Sequence, residues 1–270
     1  MSRLFRYSRR VDTSLQNGLF ADPRAPILLF AHRGYSALAP ENTLAAFQKA
    51  VDRGIPGAEF DVQLSRDGEP VVIHDSTLKR TAGLDARVQD TPLAQIRALD
   101  AGGWFAPEFR GEKVPRLEEV FAAFGGRLYF DVELKWDSKA PNGLEQKVVQ
   151  AIRRHGLERR RLLSSFNPYC LLRARRLAPD MPMALIWNNS RKLPFLLRHG
   201  GAAPFMPGPV AKPEGICLRG WNTRLLRLMG RLLVVWTVDD PREARRLIGL
   251  GVRGLISNDP GRIREVLGGA

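Results

Sequence analysis

The sequence predicts an α/β protein, a (β/α)8 or TIM barrel with a small insertion on its rim. Three observations carry that prediction. The chain has 270 residues, close to the ~250 that one such barrel needs. Eight short apolar runs punctuate it, and helix-like segments separate most of them. Strands that alternate with helices imply βα units and a parallel sheet. Composition agrees, because 44% hydrophobic and 26% charged residues describe a globular chain with a sizeable core rather than a disordered one.

The expected strands are ILLFAH (27–32), GAEFDVQL (57–64), LYFDVELK (128–135), RLLSSF (161–166), MALIW (183–187), GICLRG (215–220), LLVVWTV (232–238) and GLISN (254–258). Helical periodicity lies between them. ENTLAAFQKAVDRG (41–54) places Leu44, Phe47, Ala50 and Val51 on one face and stops at Gly54. GLEQKVVQAIRRHG (143–156) and PREARRLIGLG (241–251) have basic last turns and terminal glycines. A ninth run, PVVIHD (70–75), breaks the alternation. It follows strand two through SRDGE, and Asp67-Gly68 reads as a two-residue hairpin loop. The run is therefore expected to return antiparallel, outside the barrel count, with Asp61 facing His74. Residues 76–116 read as a rim insertion and 200–215 as a long Gly/Pro-rich loop. Residues 1–24 read as a basic N-terminal arm ahead of one domain spanning 25–270.

The formal net charge is +14. Such a balance suits anionic substrates and peripheral contact with an anionic membrane. Nucleic acid ranks low, since no Lys/Arg-rich motif with interleaved aromatics occurs. Cys170 and Cys217 are too few and too far apart for a disulfide framework or a cysteine metal site, and both read as reduced core residues. The N-terminus lacks the apolar core of a secretory signal, and no apolar stretch has membrane-spanning length. The expected compartment is the cytoplasm.

In a barrel of this type, reactive side chains project from the C-terminal strand ends. Those ends carry His32-Arg33, Glu59 with Asp61, Glu133 with Lys135, Phe166, Trp236 and Asn258. The hairpin returns His74 to the same rim. Glu59 and Asp61 are two apart, so they share a face; Glu133 adds a third carboxylate. Three converging carboxylates repel one another unless a cation intervenes. An all-oxygen set suits one divalent metal, Mg²⁺ or Ca²⁺. The ordinary alternative is pairing with Arg33 and Lys135. Arg33 offers a planar fork and Lys135 a point charge for a phosphoryl group. His32 and His74 can exchange protons with attacking and leaving oxygens. His155 and His199 stand before glycines in basic helix ends, where capping accounts for them.

The stretch AHRGYSALAPENTLAAFQKAVDRGIPGAEFDVQLSRDGEPVVIHD resembles the signature of the glycerophosphodiester phosphodiesterase family. PRLEEV (115–120), DVELK (131–135), SSF (164–166), VVWTVDD (234–240) and GVRGLISNDP (251–260) follow in that family's order. The resemblance covers about residues 27–267 and is most specific in the N-terminal half. It implies a phosphatidylinositol-phospholipase-C-like barrel and hydrolysis of glycerophosphodiesters to glycerol 3-phosphate and an alcohol. It also implies His32 and His74 as the acid–base pair. By the same resemblance, Glu59, Asp61 and Glu133 are metal ligands, and Arg33 and Lys135 are phosphate contacts. Glu41 is expected to support the site from a helix start. Phe166 and Trp236 are expected to wall the glycerol or the leaving group.

The segment 181–230 departs from the family pattern, and Arg253 replaces an expected acidic residue. Trp187, Phe195, Phe205 and Trp221 there suggest an apolar rim for a lipid-like group. Two other readings stay open: a lysophospholipase-D-like enzyme on the same scaffold, and a non-catalytic barrel binding a phospho-ligand or a membrane. The sequence leaves the oligomeric state open.

Overall fold

The computed structural model describes residues 27–190 and 208–267. Eight parallel strands close into a barrel: β1 (Leu28–His32), β2 (Gly57–Leu64), β4 (Tyr129–Leu134), β5 (Arg161–Ser165), β6 (Met183–Trp187), β7 (Val210–Pro213), β8 (Leu232–Val235) and β9 (Gly254–Ser257). β1 pairs with both β2 and β9, which closes the ring. β3 (Pro70–Val72) adds antiparallel to the edge of β2. No helix among the described residues is long and apolar enough to cross a membrane. The basic arm, His199, Phe195 and Phe205 lie outside the described residues.

Alternation along the strands sorts the side chains into two cores. Outward residues such as Phe60 and Phe130 pack against Phe47, Phe121 and Phe124 of the helical layer. The two helices concerned are α1 (Leu44–Asp52) and α4 (Leu117–Phe124). Phe60 meets Phe47 edge-on at 5.4 Å and Phe130 at 5.6 Å, a geometry that aromatic quadrupoles favour. Inward residues Phe30, Leu162, Ala184, Val210, Val234 and Ile256 fill the barrel floor. Gly57 is required there: a Cβ on it would lie 2.6 Å from the Phe30 ring. One step further along the same inward rows, the side chains turn polar, and that layer is the mouth.

One expected strand is displaced. GICLRG is not a strand; Gly215–Cys217 forms a 3-10 turn. The barrel strand is β7, inside the stretch expected to be a loop. Its four residues, VAKP, end in proline and carry a lysine, so the apolar signal is absent.

The hairpin also differs by one residue. Val62 faces Val72 and Leu64 faces Pro70, and the Ile73 N–H donates to the Asp61 carbonyl at 3.0 Å. Asp61 therefore faces Ile73, not His74. The cause is a three-residue loop, 66–68, with Gly68 at φ 76°. The Gly68 N–H bonds the Ser65 carbonyl, and the Ser65 N–H bonds the Glu69 carbonyl. This is the turn-plus-bulge solution rather than the two-residue one.

Beyond β3, two short helices, α2 (Lys79–Ala82) and α3 (Leu93–Ala98), pack on a separate small core. Val71, Ile73, Leu78, Val88, Ile96 and Val114 build it.

Candidate active site

β1 ends abruptly at the mouth because the next two residues turn left-handed. Arg33 has φ 56° and Gly34 φ 77°. A side chain on Gly34 would meet Ala46 at 2.6 Å, so glycine is needed there. The Arg33 conformation is uncommon for a residue with a Cβ, and neighbours hold it. Its N–H donates to the Glu59 carbonyl at 2.6 Å, and its carbonyl accepts from the Asn42 N–H at 2.8 Å. The turn places the guanidinium between Glu41 and Asp61.

Glu59, Asp61 and Glu133 each offer an oxygen within 4.8 Å of the others, and all three are buried. β2 and β4 align them, with Glu59 opposite Asp131 and Asp61 opposite Glu133. Cations flank the group. Arg33 Nε lies 3.5 Å from Asp61, and Lys135 Nζ lies 3.6 Å from Asp61 and 3.1 Å from Glu133. Asn42 donates to Asp61 at 3.1 Å. Burial works against the Asp61 charge, but Lys135, His74 and Arg33 hold its carboxyl down at about 2. Glu133 goes the other way: burial first, then the Asp61 charge, pushes it up to about 8.

Sequence reasoning missed the floor of this site. Lys212, on β7, is buried beneath the triad. Its ammonium lies 2.9 Å from Asp131 and 3.1 Å from Glu59. Burial disfavours that charge, yet Asp131, Glu59 and Glu133 hold it protonated beyond an ordinary lysine. Asp131 also accepts from the Ser164 hydroxyl at 2.5 Å. Four carboxylates thus face three cations, and Glu59 Oε2 is buried without a hydrogen-bond partner. The crowding that pushes the Glu133 carboxyl up to about 8, the orphaned oxygen and the all-oxygen donor set fit one hard divalent cation on Glu59, Asp61 and Glu133.

Each rim imidazole is oriented through its Nδ1. His32 Nδ1 bonds Asn258 Oδ1 at 2.7 Å, and Asn258 donates to Asp239 at 2.7 Å, which fixes the amide. An oxygen acceptor makes Nδ1 the protonated nitrogen and leaves Nε2 free. Nε2 faces Glu59 at 3.8 Å. His74 Nδ1 bonds Asp75 at 2.6 Å, so its Nε2 is free too. Asp75 in turn binds Arg80 Nε at 2.7 Å.

Glu41 lies ahead of α1, which Thr43 caps by accepting from the Ala46 N–H. Its carboxylate bridges Arg33 at 2.7 Å and Arg80 at 2.7 and 2.8 Å. Phe166 is 40% exposed and stands edge-on to Trp236 at 5.4 Å. A cleft of about 620 Å³ opens beside His74 and Lys135, lined by Gln63, Arg87, Gln89, Trp136 and Asp137. Of the expected apolar rim, Trp187 is a core residue at 5% exposure and Trp221 is surface. His155 closes a helix, and its Nε2 bonds Glu118 at 2.5 Å. Cys170 and Cys217 are free and buried.

Asp131 was legible by the same two-residue spacing that pairs Glu59 with Asp61. Lys212 and Arg80 left no such trace.

The fold and the mouth define a class: a (β/α)8-barrel protein whose acidic centre is ringed by cations and imidazoles, a setting for a phosphate beside a divalent cation. The chain belongs to the glycerophosphoryl diester phosphodiesterase family, whose model matches residues 32–262. A glycerophosphodiester phosphodiesterase of Caldanaerobacter subterraneus subsp. tengcongensis is 36% identical over 242 residues, covering 86% of this chain and 94% of the relative. The Bacillus subtilis enzyme of that name is 30% identical and covers 89% of this chain and 86% of its own. Among solved structures, an Oleispira antarctica phosphodiesterase in complex with the product sn-glycerol-3-phosphate is 29% identical. It covers 89% of this chain and 96% of its own, with a TM-score of 0.77. A Silicibacter pomeroyi protein named a putative glycerophosphoryl diester phosphodiesterase superposes at TM-score 0.81 with 27% identity, covering 94% and 97%.

Proposed function

We propose that the protein hydrolyses glycerophosphodiesters to glycerol 3-phosphate and an alcohol. The observation that carries this reading is the buried Glu59–Asp61–Glu133 group, flanked by Arg33 and Lys135 and bracketed by two oriented histidines. A Mg²⁺ or Ca²⁺ bound there supplies neutralisation of charge on the phosphoryl oxygens. Arg33 and Lys135 hold those oxygens from the rim. The buried Arg33 Nε, which has no hydrogen-bond partner, suits that role.

Proton transfer falls to the two free Nε2 atoms. One imidazole takes a proton from the attacking oxygen, which water supplies in the net reaction, as the new P–O bond forms. The other, entering the step with a proton on Nε2, delivers it to the leaving alcohol oxygen as the old P–O bond breaks. Trp236 and Phe166 give the organic part of the substrate an apolar wall, and the cleft beside His74 gives a second organic group room. Residues 76–116 act as a rim insertion that supplies Arg80 to the site. The expected compartment is the cytoplasm, where Cys170 and Cys217 stay reduced.

The test is release of glycerol 3-phosphate from glycerophosphocholine with Mg²⁺ or Ca²⁺ present. His32→Ala and His74→Ala are each expected to lose ~10²–10⁴-fold in rate. A His32→Ala enzyme as active as the native one would overturn the site assignment. Turnover of lysophosphatidylcholine alone would move the activity to acylated substrates.

A further inference from the structure

The helix that follows β7 is built inside out. In α7 (Gly220–Leu228 among the described helices), the buried residues are Asn222, Thr223 and Leu226. Two of these three are polar. Asn222 accepts from the Arg219 N–H at 2.7 Å and donates to the Cys217 carbonyl at 2.8 Å. The outward side is apolar: Trp221 is 60% exposed, Leu225 51% and Leu228 76%. Their spacing, i, i+4 and i+7, makes one stripe opposite the buried face. Met229 and Ile216, both exposed, widen it and extend it toward the rim. A barrel helix ordinarily keeps its apolar side on the strands.

Charge borders the stripe. Between 219 and 231 the chain carries Arg219, Arg224, Arg227 and Arg231 and no acidic residue. Arg224 and Arg227 are exposed; Arg224 lies one helical turn from both Trp221 and Leu228, and Arg227 follows one turn after Arg224. Apolar residues with a tryptophan among them, edged by arginines, are the features of a helix that lies in the plane of a membrane interface. A second copy of the chain fits less well. An antiparallel two-fold contact across this stripe would bring like-charged arginine rows together.

We propose that α7 docks this protein on an anionic lipid bilayer. Leu225, Leu228 and Trp221 enter the boundary between headgroups and acyl chains, and the arginines meet anionic headgroups. Helices of this barrel start at the mouth side, so Trp221 and Ile216 set the rim near the lipid surface. The inference goes beyond the proposed hydrolysis and does not depend on it.

The experiment is co-sedimentation of the full chain with vesicles of phosphatidylcholine alone and of phosphatidylcholine with phosphatidylglycerol. Binding is expected to the anionic vesicles and to weaken with added salt. Leu225→Glu with Leu228→Glu is expected to lower the partition coefficient on the order of tenfold or more. Turnover of soluble glycerophosphocholine should be unchanged, which also reports that the variant is folded. Arg224→Glu with Arg227→Glu should remove the preference for anionic lipid. Absence of binding to anionic vesicles, or equal binding by the leucine variant, would overturn the proposal. So would a native dimer that the leucine variant converts to a monomer, which would assign the stripe to a second copy. Failure of glycerophosphocholine turnover with docking intact would sink the hydrolysis alone.

Discussion

Lys212 is 1% exposed and stands between two buried carboxylates. Such an arrangement is held together by mutual dependence. Removing one partner leaves the others charged and dry, at a cost of ~3–5 kcal/mol. Lys212→Met is therefore expected to lower unfolding free energy by about that amount in a urea titration. Adding Asp131→Asn should recover part of the loss, because one uncompensated charge is removed. A Lys212→Met protein within about 1 kcal/mol of native would show that the carboxylates neutralise by protonation instead. The same residue marks where legibility ended. Glu59, Asp61 and Glu133 sit on long apolar strands whose period of two puts their side chains on one face. Lys212 sits on a four-residue strand with no such pattern, and its partners come from strands far away in sequence.

At the scale of elements, the hairpin decides where His74 goes. The last ladder bond is made by the Ile73 N–H, and Gln63 then takes over. Its amide donates to the carbonyls of Ile73, His74 and Asp75 at 3.0, 3.1 and 2.7 Å. That clamp keeps His74 close enough for its charge to act on Asp61, although Ile73 is the residue that faces Asp61. Asp67-Gly68 announced the turn, but the choice between a two- and a three-residue loop rests on the Ser65 and Glu69 contacts. Among them, the Ser65 hydroxyl donates to Asp67 at 2.6 Å and accepts from the Glu69 N–H at 3.1 Å. Gln63→Leu keeps the bulk and removes the clamp. It is expected to lower kcat by ~10- to 100-fold, since a shift of about 1 Å at a reacting group costs that much. KM should change far less, because Arg33 and Lys135 are untouched. Steady-state kinetics on glycerophosphocholine check this; an unchanged kcat would mean that Asp75 and Arg80 alone hold the imidazole.

For the whole molecule, the inward rows run from an apolar floor at Phe30 and Ile256 to a charged mouth at Glu59 and Lys212. The barrel was legible because seven of its strands are apolar runs of ordinary length. The charge balance of the mouth was not, because it depends on the closure that brings β7 against β6 and β8. Four carboxylates crowd against three buried or flanking cations, and that crowding, which pushes the Glu133 carboxyl up to about 8, is what a bound cation relieves. Unfolded chain has no such site, so the cation must stabilise the fold. At a concentration of ~100 times its dissociation constant the gain is ~2.7 kcal/mol. For a chain of this size each kcal/mol raises Tm by ~2–4 °C, so Mg²⁺ or Ca²⁺ should raise it by ~5–10 °C over protein treated with chelator. Glu59→Gln, Asp61→Asn and Glu133→Gln should each abolish most of that rise. Each should also be less dependent on added cation for its own stability, because one source of repulsion has gone. The readout is calorimetric and independent of turnover. A Tm that ignores divalent cation in the native protein, while chelator leaves activity intact, would remove the metal from the site and return the triad to simple pairing with Arg33, Lys135 and Lys212.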